Sequence, residues 1–202
     1  MRLWQALTTI MKKILLALII PLILLVHYGY YVSTEREFKI AQRAFTIGSW
    51  DACKEGPTIL ERYMSNLAYY HLRFTGAGEQ YVSDGGSLVF VALGVSKCGY
   101  GTSGYNLDNE RVKRGIELGL KYGEDINKVY TNGLRPLHTA TTINNPRLIR
   151  YLISHGANVS LKSEALSYMV QSSMTPMEYA HSMEEEFGMD LSLAKQALNQ
   201  GG

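Results

Sequence analysis

The chain has 202 residues, 46% of them hydrophobic and 19% charged, which is room for one domain and a short appendage. The formal net charge is +2, but Arg2, Lys12 and Lys13 all precede one apolar run, and the rest of the chain holds 17 basic against 18 acidic residues. A near-neutral body lacks the basic face that a nucleic-acid partner demands, so that class is excluded.

The apolar run is Ile14 to Val26. Continued through His27-Tyr28-Gly29-Tyr30-Tyr31-Val32, it reaches about the length needed to cross a bilayer. The tyrosines fit an aromatic belt at the far interface. The cations on its N-terminal side predict residues 1–13 in the cytoplasm and the remainder outside. A cleaved signal peptide is the rival, because Met11-Lys12-Lys13 before an apolar stretch has that form. No small-x-small cleavage site follows, and no Cys closes the run for lipoprotein processing. An uncleaved signal anchor over 14–32 is therefore favoured, with a buried soluble helix as the plain alternative.

Residues 33–83 read as linker and helical cap. Ser33 to Lys39 is a charged linker, and Phe38 to Phe45 a short amphipathic helix broken at Gly48-Ser49-Trp50-Asp51. Pro57 to Phe74 reads as a longer helix, with Leu60, Tyr63, Leu67, Tyr70 and Phe74 at helical spacing. Gly76-Ala77-Gly78 ends it. The region is a degenerate repeat or an N-terminal cap.

The two cysteines, Cys53 and Cys98, either pair or stay as separate buried thiols. Export would favour pairing, worth about 4 kcal/mol in the chain-entropy model. Gly99-Tyr100-Gly101-Thr102-Ser103-Gly104 has the G-x-G-x-x-G form of a dinucleotide loop. The polar stretch Tyr105 to Asn109 follows it where a helix N-terminus is required, and no βαβ pattern surrounds it. It reads as an inserted loop carrying Tyr100 and Tyr105. The final Gly of a nucleophile elbow is Tyr105 here. The histidines have no i, i+4 metal spacing, and Glu184-Glu185-Glu186 reads as a solvated charge run. No catalytic, cofactor or metal residues are assigned.

The stretch Lys128 to Ser160 carries Asn132-Gly133-Leu134-Arg135-Pro136-Leu137-His138-Thr139-Ala140, then Leu148-Ile149-Arg150-Tyr151-Leu152-Ile153, then His155-Gly156-Ala157-Asn158-Val159-Ser160. It resembles one complete ankyrin repeat. Pro136 fits a first helical position and Gly156 a left-handed helix end. Arg135 stands where the family has Thr, so a hydroxyl cap is lost there.

The resemblance extends both ways. Gly123-Glu124-Asp125-Ile126-Asn127 sits 33 residues before Gly156 to Ser160. Val112 to Leu120 matches a second helix, and Gly86 to Leu93 its first, with Leu88 for Pro, Phe90 for His and an insertion near Cys98 to Glu110. Met174-Thr175-Pro176-Met177-Glu178-Tyr179-Ala180 resembles the next copy, displaced by 40 residues through extra residues near Ser163 to Ser172. Asp190 to Leu198 would be the last helix. About three repeats are expected over 84–202, since one helix pair cannot bury its apolar face alone.

The resemblance implies that His138 ties adjacent hairpins by hydrogen bonds. It also implies a protein-binding surface on hairpin tips and first helices: Tyr130, Thr131, Asn132, Arg135, Thr139, Thr142 and Ile143. Tyr100 and Tyr105 join it as candidate anchors, Tyr being common at interfaces. The expectation is thus an all-α chain: a short ankyrin-type helical repeat solenoid with an N-terminal helical cap and one transmembrane helix. It would sit in a bacterial inner membrane with the repeat domain in the periplasm and hold another protein. The preferred version is an immunity-type inhibitor of a toxic effector; the alternative is an adaptor for an envelope enzyme. Neither nucleic acid nor a small-molecule substrate is expected.

Overall fold

The computed structural model describes residues 59–94, 109–164 and 173–201, with scattered positions between 11 and 40. Cys53, Cys98, Tyr100, Tyr105, the 99–104 loop, the break at 48–51 and nearly all of the helix expected at 38–45 lie outside the described residues, as does most of the expected span 14–32. Among the described residues no helix is long and apolar enough to cross a membrane.

Every regular element among the described residues is helical. Helix α1 is Ile59–Phe74, α2 Ala77–Ser83, α3 Leu88–Gly94 and α4 Asn109–Lys121. Then come α5 Pro136–Thr142, α6 Pro146–Ser154, α7 Pro176–Phe187 and α8 Ser192–Asn199. The last six pack as three successive pairs. Their first helices, α3, α5 and α7, pack in one row, and their second helices, α4, α6 and α8, in another.

One continuous core runs between the rows. Leu88, Leu93, Ile116, Ile149, Leu152 and Leu191 are fully buried in it. Each such side chain contributes about 1.5–3 kcal/mol relative to exposure. In α6 the pattern is direct: Leu148, Ile149 and Leu152 point inward while Arg147 and Arg150 stay in water. Asn145 caps this helix by accepting from the N–H of Arg147 and Leu148, with Pro146 at its start.

The 33-residue spacing becomes a repeated backbone motif. Gly123 and Gly156 take φ of +84° and +94°, which a side chain would strain. After each, the N–H of Glu124 or Ala157 closes back on the carbonyl of Gly119 or Leu152, at 3.0 Å in both cases. Asp125 and Asn158 then each accept the N–H two residues on, Asn127 and Ser160, again at 2.8 Å in both.

The cap differs from expectation in one element. Gly76-Ala77-Gly78 ends α1, but a new helix, α2, starts at Ala77. Buried Gly78 makes it fit: a Cβ there would lie 2.6 Å from the Leu72 carbonyl oxygen and 2.7 Å from the Tyr122 ring. The Tyr122 hydroxyl, at the end of α4, donates to the Leu72 and Arg73 carbonyls at 3.0 and 3.1 Å. That contact docks α1 on the solenoid.

Candidate protein-binding surface

The surface is built on the hairpins that join successive pairs. In the hairpin before α5, the Gly133 N–H bonds the Tyr130 carbonyl at 2.9 Å, and the Tyr130 N–H bonds the Leu134 carbonyl at 2.8 Å. The next hairpin repeats the second bond from Ser163 to Met174, at 2.7 Å. The two join where the Glu164 N–H donates to the Gly133 carbonyl at 2.8 Å. Asn127 bonds the following turn: its amide donates to Gly156 and accepts from the Asn158 N–H, both at 2.9 Å.

Thr131 is exposed at the tip; Asn132, Arg135, Thr139 and Ile143 are half-buried. Two expected contact residues are not at the surface. Tyr130 is only 6% exposed and packs its ring against Phe90 at 4.4 Å. Thr142 is 8% exposed and donates to the His138 carbonyl at 3.2 Å. Tyr130 faces the first pair, because stacking buries that side of the hairpin, whereas Thr142 is tied back to its own helix. The Arg135 guanidinium is committed as well, to the carbonyls of Lys162, at 2.8 Å, and Asn127. It pins three hairpin strands together in place of a capping hydroxyl, and α5 has no side-chain cap.

His138 makes the inter-hairpin bond expected of it. Its Nε2 donates to the Met174 carbonyl at 2.8 Å, and its ring meets Tyr179 edge-on at 5.7 Å. It is fully buried, and that burial pushes its pKa below the usual histidine range, aided by the Arg135 charge. A neutral ring with its proton on Nε2 follows.

The first pair instead fixes its own two helices to each other through a carboxylate. Glu124 is 6% exposed, and its carboxylate sits on the N-terminus of α3. It accepts from the N–H of Leu88 at 2.9 Å, from that of Val89 at 3.2 Å, and from the Ser87 hydroxyl. Ser87 in turn accepts from the Phe90 N–H at 2.8 Å. Gly119 leaves the room, since a Cβ there would lie 2.6 Å from Glu124 Oε2. Burial raises the Glu124 pKa, against the hydrogen bonds and Lys128, which lower it. Burial and the Glu124 charge together push the Tyr130 phenol well up.

Sequence reasoning missed Glu124, Asn127 and Asn144. Asn144 takes φ +55°, donates to the Asp190 carbonyl at 2.8 Å and accepts the Ala194 N–H at 2.9 Å, tying the second pair to the third. The available signal was the 33-residue register itself, which sets Glu124 against Ala157 and so flags a carboxylate in an apolar slot.

Among the described residues, helix pairs that pack chiefly on the next pair along the chain have the form of a repeat solenoid. The ankyrin-repeat family model matches residues 132–164, which supports an ankyrin-repeat assignment for the chain. The match spans the hairpin, α5, α6 and the turn beyond. The ankyrin repeat suggests a protein–protein interaction module. No curated protein and no solved structure matches the chain.

Proposed function

We propose that this chain is a membrane-anchored module that holds another protein in the periplasm, and that the held protein is a toxic effector neutralised by the binding. The observation that carries the binding reading is the ankyrin repeat at 132–164 with its tip at the surface. Thr131, Asn132, Thr139 and Ile143 supply a small mixed polar and apolar face there. A compact binding unit on one anchor suits a guard placed where an incoming effector must pass.

The anchor rests on the apolar run. The described helical positions Ile19, Leu22, Ile23, Leu25 and Val26 are 42, 61, 60, 66 and 66% exposed. At about 100° per residue, these five positions fall within about 160° of the helix circumference, so that face of the run is apolar and uncovered. Lipid is the surrounding in which such a helix is at low free energy.

The test is capture from envelope extract with the detergent-solubilised full chain as bait, including the product of the neighbouring gene among the candidates. One-to-one binding that abolishes the neighbour's toxicity is the expected result. Capture of an envelope enzyme without neutralisation would replace the inhibitor with an adaptor.

A further inference from the structure

We propose that the outer face of α1 lies against the lipid surface that holds the apolar N-terminal run, so that the cap is a membrane-docking element. This rests on the anchor reading above. Helix α1 buries Ser65, Ala68 and Leu72 on one side. The opposite side presents Ile59, Tyr70 and Phe74, which are 89, 53 and 70% exposed. Tyr70 and Phe74 stack with their ring centroids 6.0 Å apart. Helical spacing puts Tyr63 on the same side, and it contacts the ring of His27 at 6.5 Å. His27 belongs to the continuation of the apolar run, so this face lies beside the segment that would enter the bilayer.

The chemistry of the face fits that occupant. Aromatic rings with neighbouring guanidinium groups are the side chains that settle at headgroup depth. The Arg73 guanidinium sits 5.2 Å above the Phe74 ring. Arg73 and Lys121 also line an open cavity of about 440 Å3, with Tyr122 and one acidic residue, Glu79. Two cations against one anion at the edge of an aromatic face match anionic phospholipid headgroups.

The test uses the full chain in vesicles of zwitterionic and anionic phospholipid, some of it brominated to quench tryptophan at the bilayer. Phe74→Trp and Leu193→Trp each add one reporter, read as the difference from the parent chain, which has Trp4 and Trp50. Leu193 is a fair control, being 42% exposed on α8. Docking predicts that the added emission of Phe74→Trp is mostly quenched while that of Leu193→Trp is unchanged. Equal quenching of the two overturns the proposal. Co-sedimentation with vesicles after an alkaline carbonate wash reads the anchor separately. A chain that stays with the vesicles but shows no quenching at position 74 defeats the docking alone. A chain released by the wash defeats the anchor and the docking together.

Discussion

The first and second helix pairs share a backbone motif and differ in what fills it. Both close at a left-handed glycine, Gly123 or Gly156, and both turn on a side chain that accepts the N–H two residues on. In the second pair the slot after the glycine holds Ala157, and the pair is joined to the third by His138. In the first pair the slot holds Glu124, whose carboxylate caps α3, and Phe90 stands where His138 would be. The periodic backbone therefore does not dictate the side-chain chemistry. Each pair needs its hairpin fixed to the next, and that need is met by whichever groups reach.

The sharpest way to break this comparison is to exchange the slots. Glu124→Ala leaves the N–H groups of Leu88 and Val89 and the Ser87 hydroxyl without their buried acceptor. The expected cost is about 3 kcal/mol in urea unfolding. Ala157→Glu places a carboxylate where Pro136 has no N–H to give, and a loss of similar size, about 3 kcal/mol, is expected. His138→Phe, which copies the first pair, removes the bond to Met174 and should cost about 2 kcal/mol.

The two sites also carry opposite pH signatures. Glu124 has a folded pKa above the ordinary 4.5, so its contribution is full below 4.5 and is lost as pH rises through the raised value. His138 has a folded pKa below the ordinary 6.5, so its contribution is present above 6.5 and is lost as pH falls toward the lowered value. Melting temperature against pH should therefore flatten on the rising side in Glu124→Gln and on the falling side in His138→Phe. A Glu124→Gln profile unchanged from the parent would remove Glu124 from the account.

Two smaller effects extend the comparison to the ends of the stack. Gly78→Ala drives a methyl into the Leu72 carbonyl and the Tyr122 ring, and should cost about 1–2 kcal/mol in thermal unfolding. The third pair uses local chemistry at its N-terminus: Thr175 accepts from the Glu178 N–H at 3.3 Å, and Glu178 returns a bond to the Thr175 N–H at 2.7 Å. Thr175→Ala should cost about 1 kcal/mol in the same assay.

The sequence was most legible where information is local. Pro136, Gly156 and the apolar face of α6 placed the second pair to within a residue or two, and Gly123 carried the register one repeat back. Helix α2 was missed because seven residues beginning after two glycines offer too little periodicity to read. Glu124 was missed because its partners, Ser87 to Val89, lie some 35 residues upstream, and only the 33-residue register, which sets it against Ala157, pointed to its burial. Tyr130 was expected at the surface because a single repeat has no neighbour to bury it; stacking supplied Phe90.

The central claim is that a buried carboxylate ties together the two helices of the first, least regular pair. Amide hydrogen exchange at Leu88 and Val89 tests it most directly, measured in the parent chain and in Glu124→Ala. The account predicts protection in the parent as strong as that at core amides such as Ile149, with a large loss confined to α3 and its neighbours in the variant. Rapid exchange at both amides in the parent chain would contradict it.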